Sequence, residues 1–133
     1  MIKTVEVVAA IIYNASEILC VQRPKSTLPY ISEKFEFPGG KIESNESHEE
    51  ALKRELKEEL DISVTIEKFF LTVEHNYPDF KLIMHSYLVK MVNRKISLNE
   101  HISHLWLPIN ELNEPDWAAA DLPIVKKLVD NGE

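Results

Sequence analysis

Hydrophobic positions along the chain fall into short continuous runs and into two stripes of helical spacing. Residues 5–13 and 18–22 are runs rich in β-branched side chains, and residues 14–17 between them favour a turn. Runs of this length and composition are typical of buried strands, so we expect a hairpin here. Residues 64–73 and 81–92 are predicted to form a second, longer strand pair.

The stripes of helical spacing predict two helices, over residues 46–60 and 123–130. Ser44 and Asn45 are candidate caps for the first helix, and the second is expected to end at 131–132. Strands and helices are mixed along the chain rather than strictly alternating, which predicts a mixed sheet with helices packed on it. The remaining predicted pieces are a loop over 23–34, an extended stretch over 35–37 stopped by Pro38-Gly39-Gly40, a short strand over 102–107 and a helical turn over 108–112.

The charged positions of the first helix are distributed unevenly. At 100° per residue its leucines form one apolar stripe, and Glu55, Glu58 and Glu59 share an arc of about 100° beside it. Glu55 and Glu59 are a like-charge pair one turn apart, near the helix C-terminus, where the macrodipole disfavours anions. A solvent-exposed face with salt bridges is the ordinary explanation of such a helix. Bound cations explain the crowding better, and carboxylate oxygens favour Mg²⁺, Mn²⁺ or Ca²⁺ over zinc. The helix alone leaves both interpretations open.

Composition and charge narrow the function classes. The chain has 133 residues, of which 44% are hydrophobic and 28% charged, so we expect one folded domain over residues 1–133. Its net charge of -7 argues against a nucleic acid polymer as partner, because phosphate binding favours basic proteins. The longest apolar run, 7–13, is too short for a membrane span of about 20 residues. No signal peptide is expected and the single Cys20 allows no internal disulfide, which together favour a cytoplasmic location.

A glycine pair with a following lysine precedes the first helix. Gly39 and Gly40 let the backbone approach a ligand closely, and a glycine-rich loop followed by a lysine such as Lys41 is typical of phosphate binding. The spacing is not that of a P-loop, because no glycine lies five residues earlier and no serine or threonine follows the lysine. The loop therefore favours a phosphate-related interpretation of the acidic helix.

From Gly40 to Ile62 the chain resembles the sequence box of the Nudix family. That pattern is Gly-x5-Glu-x7-Arg-Glu-U-x-Glu-Glu-x-Gly-U, where U is a bulky aliphatic residue, and eight of its nine specified positions match. The exception is Asp61, where the family has glycine. A residue just past a helix often takes a left-handed conformation, which Asp tolerates at modest cost. We therefore expect a small loss of stability at this position and no loss of function.

The resemblance covers nearly the whole chain and is to the MutT branch of the family. The further segments that carry it are Arg23, 35–43, 77–79 and 116–123. It implies an α/β/α sandwich with a mixed sheet, and an activity that hydrolyses a nucleoside diphosphate linked to a further group.

The resemblance also implies which residues bind metal. Glu55, Glu58 and Glu59 are expected to bind a divalent ion together with the carbonyl of Gly40, and the ion is expected to be Mg²⁺, with Mn²⁺ able to substitute. Glu58 or Glu59 is also a candidate base, and the sequence does not separate a base from a ligand. Glu100 is a further acidic candidate for the metal, for which an ordinary surface position is an equal alternative.

Two other residues of the box are expected to have a supporting role. Arg54 belongs to the catalytic set by its place in the box, and Glu46 is its expected partner. An ion pair between them would brace the loop against the helix from behind the metal ligands.

The substrate contacts implied by the resemblance lie on other segments. Arg23 and Lys41 are expected to hold phosphate oxygens, and Phe35 and Tyr77 are expected to contact the nucleotide. Asp121 aligns with the position that reads the base edge in the MutT branch. If ionised, it only accepts hydrogen bonds, which suits the amine of cytosine or the N1–H and N2–H of guanine. Capping the last helix is the alternative role of Asp121.

The histidines are interpreted as structural. His101 and His104 are three residues apart, but no cysteine lies nearby and no HExxH motif occurs, so zinc is not expected. His48 is predicted to border the core beside the leucine stripe.

These implications combine into one predicted function. We expect a Mg²⁺-dependent pyrophosphohydrolase that converts a nucleoside triphosphate and water into the monophosphate and pyrophosphate. Its substrates would be oxidised guanine or modified cytosine nucleotides, such as 8-oxo-dGTP or CTP and dCTP, in a role linked to DNA repair. The alternatives are a Nudix hydrolase of ADP-ribose, nucleotide sugars or dinucleoside polyphosphates, and a domain that senses nucleotides without turnover. The partner is expected to be a small nucleotide, without a nucleic acid polymer or a membrane, and the protein is expected to be a monomer or homodimer.

Overall fold

The computed structural model describes residues 2–131, in which one sheet packs between two helices. The strands are β1 (Lys3–Asn14), β2 (Glu17–Gln22), β3 (Phe35–Glu36), β4 (Gly39–Lys41), β5 (Thr65–Asn76), β6 (Phe80–Lys90) and β7 (Ser103–Pro108). The helices are α1 (His48–Leu60) and α2 (Leu122–Asn131), with 3-10 turns at Ile109–Glu111 and Ala119–Asp121. The expected end of α2 at 131–132 falls partly outside the described residues.

The sheet is mixed, as predicted. β1 runs parallel to β6 along nearly its whole length and antiparallel to β2 and β4. β5 extends the sheet beyond β6, and β3 and β7 both pair with β2. The parallel pair of β1 and β6 therefore forms the centre of the sheet, and β4 brings the glycine pair against the middle of β1.

Each face of the sheet is covered by one helix. Because side chains alternate along a strand, β1 contributes Ala9 and Ile11 to the core beneath α2 and Val8 and Ile12 to the core beneath α1. The leucine stripe of α1 fills the second core, as its spacing predicted. The result is the predicted α/β/α sandwich. None of the helices among the described residues is both long and apolar enough to span a membrane.

The start of α1 differs from the prediction. Neither Ser44 nor Asn45 caps the helix; Ser47 does, and its side chain accepts a hydrogen bond from the N–H of Glu50. The Glu50 carboxylate in turn accepts a hydrogen bond from the Ser47 N–H, which completes a capping box. Asn45 has a φ of 70°, which places it in a turn before the helix. The third-position glutamate decides the cap here, and the prediction did not use it.

The end of α1 agrees with the prediction. Asp61 adopts the left-handed conformation expected of the family glycine, with φ 55° and ψ 45°. Its backbone N–H donates to the Lys57 carbonyl at 3.1 Å. An aspartate can therefore end this helix in the same way as a glycine, at a modest cost in conformational energy.

β3 ends before Pro38, as predicted, but the glycine pair that follows forms a new strand. Gly39 and Gly40 are part of β4, which pairs with residues 7–9 of β1. A Cβ on Gly39 would overlap the carbonyl oxygen of Val8, so the pairing depends on the missing side chain. The glycines therefore extend the sheet and place their own backbone beside α1.

Candidate active site

A cavity of about 340 Å³ opens where β4 and the end of α1 meet the 3-10 turn before α2. Its size is within the usual range of small-molecule sites, which begins near ~300 Å³. Most of the residues predicted for the site line its wall, namely Arg23, Gly40, Lys41, Glu59, Tyr77, Glu100 and Asp121. The cavity therefore joins segments that are far apart in the sequence.

The three glutamates of α1 have different environments. Glu59 is buried, with 6% of its surface exposed, and it lines the cavity. Glu55 lies behind Gly40 and is mostly covered, and Glu58 points outward with about half of its side chain exposed. The helix wheel predicted the shared arc but not this gradient, because burial depends on β4 and on the loop that follows β6.

Glu100 is brought to the cavity by hydrogen bonds at the end of α1. The backbone N–H of Asn99 donates to the Glu59 carbonyl at 3.0 Å, and the Asn99 side chain donates to the Glu58 carbonyl at 2.9 Å. These bonds satisfy carbonyls that the helix end leaves free. They fix Glu100 beside Glu59 as a fourth carboxylate of the site.

The surroundings of the buried Glu59 carboxylate disfavour its charged form when no cation is bound. Burial, together with the nearby carboxylates of Glu36, Glu55 and Glu100, raises the pKa of Glu59 from 4.5 to about 9. Its Oε1 atom is buried and has no hydrogen-bond partner among the described residues. A divalent cation would supply the missing positive charge. The donor set of carboxylates and the Gly40 carbonyl fits a hard, oxygen-binding ion.

Arg54 holds the parts of this site together. Its guanidinium donates two hydrogen bonds to Glu46, at 2.7 and 2.9 Å, and one to the Lys41 carbonyl at 2.9 Å. A further bond at 2.9 Å reaches Oε1 of Glu55. The Arg54 guanidinium lowers the pKa of Glu46 to about 2. The pair that the sequence predicted is present. Arg54 does not line the cavity, so its contacts are those of a brace and not of a residue that touches substrate.

Asp121 lies at the end of the cavity away from α1. Its Oδ1 accepts a hydrogen bond from the Phe37 N–H at 3.0 Å, and the Phe37 ring stacks on Trp117. The carboxyl is buried, and burial together with the nearby Glu36 raises its pKa well above the usual range. A protonated Asp121 can donate as well as accept. The sequence-based expectation of an acceptor-only residue applied to the ionised form, and the raised pKa favours the protonated form.

The alternative role of Asp121 as a helix cap is not seen. Within residues 2–131, no hydrogen bond links its side chain to the first turn of α2. The residue ends a 3-10 turn that leads directly into the helix, and its side chain is directed to β3 and the cavity instead.

Two residues beside Asp121 differ from the prediction. Phe35 is outside the cavity wall, because its backbone pairs with Asp116 and Ala118 and its ring packs in the core beneath α2. Phe37 lines the cavity in its place. Both phenylalanines lie in the same short motif. Only the backbone pairing of Phe35 shows which of the two rings faces the cavity, and the sequence does not reveal that pairing.

A partly buried acid, Glu36, and a buried histidine, His101, were missed by sequence reasoning. Glu36 accepts a hydrogen bond from His101 Nε2 at 2.9 Å and pairs with Arg23 at 3.5 Å. All three line the cavity, and His101 is buried. The sequence separates Glu36 and His101 by 65 positions, so no spacing pattern could have joined them.

Tyr77 serves the site mainly through its hydroxyl. That oxygen accepts a hydrogen bond from the Ala120 N–H at 3.0 Å, and the ring stacks on Tyr30 with centroids 5.0 Å apart. The contact fixes the 3-10 turn that carries Asp121. Tyr77 thus lines the cavity, as expected of a substrate contact, and also supports its floor.

The comparisons with known proteins agree with this geometry. The NUDIX domain model matches residues 3–128. The CTP pyrophosphohydrolase of Escherichia coli (strain K12) is 33% identical over 127 residues, which are 96% of this chain and 93% of that protein. The 8-oxo-dGTP diphosphatase of the same strain is 30% identical over 126 residues, covering 95% and 97%. The crystal structure of a MutT protein from Methanosarcina mazei Go1 has a TM-score of 0.87 at 22% identity, covering 99% of this chain and 97% of that one. The chain belongs to the NUDIX family.

Proposed function

We propose that the protein is a Mg²⁺-dependent nucleoside triphosphate pyrophosphohydrolase. It adds water across a phosphoanhydride bond, so that a nucleoside triphosphate gives the monophosphate and pyrophosphate. The enzyme class is supported by the family and by relatives named as a diphosphatase and a pyrophosphohydrolase. The role of each side chain and the identity of the ion are our proposals.

The observation that carries the proposal is a set of unpaired polar atoms around one cavity. Among the described residues, the buried atoms Arg23 Nε, Glu59 Oε1 and His101 Nδ1 have no hydrogen-bond partner. All three belong to residues that line the cavity. Buried polar groups without partners are rare in folded proteins, and a ligand that carries both charge and hydrogen-bonding groups would satisfy them.

The two ends of the cavity suit the two ends of a nucleotide. Glu59 and Glu100 form an acidic end that would hold the ion and through it the phosphates, since phosphate and carboxylate repel each other without a cation between them. Arg23 and Lys41 add positive charge to the same wall. Asp121 and the Phe37 backbone lie at the other end, where they would meet the base.

The bound ion would neutralise the phosphates, polarise the attacked phosphorus and lower the pKa of a water molecule. The contribution of the chain is positioning. Gly40 and Glu59 present oxygen atoms to the ion, and the Arg54 brace fixes Glu55 beside them. Phosphoryl transfer depends mainly on position and charge, so such a site can suffice without a covalent intermediate.

We propose oxidised guanine and modified cytosine nucleotides as the substrates. A neutral Asp121 both donates and accepts, so it can pair with the edge of either base. The two E. coli relatives are named for CTP and for 8-oxo-dGTP, which supports the same pair. Clearing such nucleotides from the cytoplasm, as a monomer or homodimer and without a nucleic acid polymer, would be the biological role.

The experiment is a panel of substrates assayed in Mg²⁺ for release of the nucleoside monophosphate, which both a triphosphate and ADP-ribose would yield. It contains 8-oxo-dGTP, dGTP, CTP, dCTP, 5-methyl-dCTP, ATP and ADP-ribose. A preference for a guanine or cytosine triphosphate supports the proposal, and turnover of ADP-ribose alone contradicts it. Tight binding of a nucleotide without turnover would instead indicate a sensing domain.

The same panel is run with Glu59→Gln and with Glu49→Gln as a matched control. Glu49 is an exposed acid in the first turn of α1, far from the cavity. We expect Glu59→Gln to lower turnover by about 100-fold or more, since it removes a charged group that would hold the ion, and Glu49→Gln to leave it unchanged. Equal activity of the two variants would contradict the assignment of Glu59.

A further inference from the structure

A second cluster of metal-ligating side chains lies at the start of α1. It consists of Glu6 on β1, His48 at the first position of α1 and His85 on β6. One ligand atom from each residue lies within 4.8 Å of the others. The cluster is on the face of the sheet that α1 covers, near the N-terminal end of the helix, whereas the carboxylates of the candidate active site are near its C-terminal end.

The two imidazoles already have the arrangement found around metal-bound histidines. His48 Nδ1 is 2.7 Å from the Tyr87 hydroxyl, and His85 Nδ1 is 2.8 Å from the Thr72 hydroxyl. Hydrogen bonds to one ring nitrogen orient the other nitrogen for a metal. In His85 the oriented nitrogen is Nε2, which lies 2.6 Å from Glu6 Oε2.

We propose that Glu6, His48 and His85 bind a transition-metal ion of the zinc class. Two imidazoles and one carboxylate are a recurrent ligand set for Zn²⁺, with water in the fourth position. The sequence suggested no such site, because the three ligands are on separate elements and form no motif. The proposal does not depend on the proposed function, since it uses other residues and another class of ion.

Closing the site around an ion requires a local rearrangement of its side chains. In a tetrahedral zinc site the ligand atoms are about 3.4 Å apart, given bonds of about 2.1 Å. The His48 and His85 rings are stacked, with centroids 4.2 Å apart and planes 22° from parallel. The Glu6 side chain is about half exposed, at 52%, and is free to move. The His48 ring must turn out of this stack, and Glu6 must move with it, for the three ligand atoms to converge on one ion.

A bound ion would add a link between the start of α1 and two strands that are already paired with each other along nearly their whole length. It would tie β1 and β6 to the first turn of α1, the helix that carries Glu55 and Glu59. Because the ion binds the folded chain and no preformed site exists in the unfolded one, binding would raise the melting temperature.

The test is a titration of the metal-free protein with Zn²⁺ in millimolar Mg²⁺. Mg²⁺ occupies oxygen sites such as the α1 carboxylates and competes poorly for imidazole. We expect one Zn²⁺ per chain by calorimetry and a rise in melting temperature. We also expect Co²⁺ to give the visible absorption typical of a four-coordinate site with nitrogen ligands.

Three variants make the test specific. His85→Gln removes a ligand and is expected to abolish the Co²⁺ absorption and the rise in melting temperature. Tyr87→Phe keeps all three ligands and removes one orienting hydroxyl, so Zn²⁺ affinity should fall about 10- to 100-fold. His104→Gln changes an exposed histidine outside the cluster and should bind as the unmodified chain does.

The outcomes separate the site from other metal binding. Loss in His85→Gln and partial loss in Tyr87→Phe, with normal binding by His104→Gln, would support the proposal. No Zn²⁺ bound in Mg²⁺ would overturn it, and so would equal binding by all three variants. A variant that fails to fold is recognised by its melting curve, and in that case Tyr87→Phe, which keeps the ring in the core, decides the outcome.

Discussion

Gly40 and Glu55 are in such close contact that any side chain at position 40 would displace the Glu55 carboxylate. A Cβ on Gly40 would overlap the carboxyl carbon and one oxygen of Glu55 and would lie 2.7 Å from the other oxygen. The glycine thus has a role beyond backbone freedom, because its missing side chain is what lets the Glu55 carboxylate reach the strand. β4 and α1 are joined at the point where the candidate site needs a carbonyl and a carboxylate together.

We therefore expect Gly40→Ala to displace Glu55 and to impair activity while the fold persists. A displacement of about 1 Å at a reacting centre can cost about 100-fold in rate. Glu55 is at the end of a flexible side chain, so the strain can be relieved without unfolding. The measurement is kcat at saturating Mg²⁺ beside the melting temperature of the same variant, and kcat within a few-fold of the unmodified chain would contradict the argument.

Gly39→Ala provides the contrast. A Cβ at position 39 would overlap the Val8 carbonyl oxygen, which is backbone of a central strand and cannot move aside. We expect this variant to lose stability first, by about 1–3 kcal/mol, as overpacking does. We therefore expect Gly40→Ala mainly to lower kcat and Gly39→Ala mainly to lower the free energy of unfolding.

Glu59 should destabilise the metal-free protein at neutral and alkaline pH. Its pKa is raised from 4.5 to about 9, so the buried carboxyl favours the fold when protonated, and this contribution is lost as the pH rises through that range. In EDTA at pH 8 we expect Glu59→Gln to be more stable than the unmodified chain by about 1–3 kcal/mol.

Two further observations would check this cause. The difference between Glu59→Gln and the unmodified chain should shrink toward pH 4.5, and Mg²⁺ should stabilise the unmodified chain more than the variant. Denaturant unfolding at a series of pH values measures both. A glutamine variant that is less stable at every pH would show that the carboxylate is not a source of strain in the fold.

How far the sequence predicts the molecule depends on the range of the interactions involved. The strands around the hairpin, the leucine stripe of α1 and the conformation of Asp61 follow from local patterns, and the structure confirms them. The cap at Ser47 is equally local and was missed only because the third-position glutamate was not considered. Local rules were thus sufficient for most of the elements.

The sequence predicted the residues of the candidate site only where they belong to a local sequence motif. Glu55, Glu58 and Glu59 follow from the helix and the box, whereas the pairing of Glu36 with His101 depends on how β3 and the loop before β7 come together. The same holds for the raised pKa of Asp121, which depends on burial that no linear pattern shows. Tertiary contacts, and not residue type, decided these positions.

The Arg54–Glu46 pair should make stability depend on acid pH. The pKa of Glu46 is lowered from 4.5 to about 2, so its charged form favours the fold above pH 4.5 and this contribution disappears as the pH falls toward 2. We expect Glu46→Gln to be less stable than the unmodified chain at neutral pH and equally stable near pH 2. Thermal unfolding across that range tests it, and a difference that does not change with pH would assign the effect to packing instead.

Asp121 should tolerate asparagine better than alanine. The Phe37 N–H needs an acceptor, and a protonated carboxyl and an amide each offer one acceptor and one donor. We expect Asp121→Asn to change kcat/KM for the preferred triphosphate by less than about 10-fold. Asp121→Ala would leave the buried N–H unpaired, which costs about 1–3 kcal/mol of folding stability. It would also remove the proposed contact to the base, so its kcat/KM should fall further than that of Asp121→Asn. The panel of triphosphates measures both variants, and it also tests protonation. If Asp121 acts as an ionised acceptor at the base, Asp121→Asn will lower kcat/KM by more than about 10-fold even though its amide still accepts from Phe37. If Asp121 acts as a neutral carboxyl, the asparagine variant will keep its activity at alkaline pH, where the aspartate would begin to lose its proton.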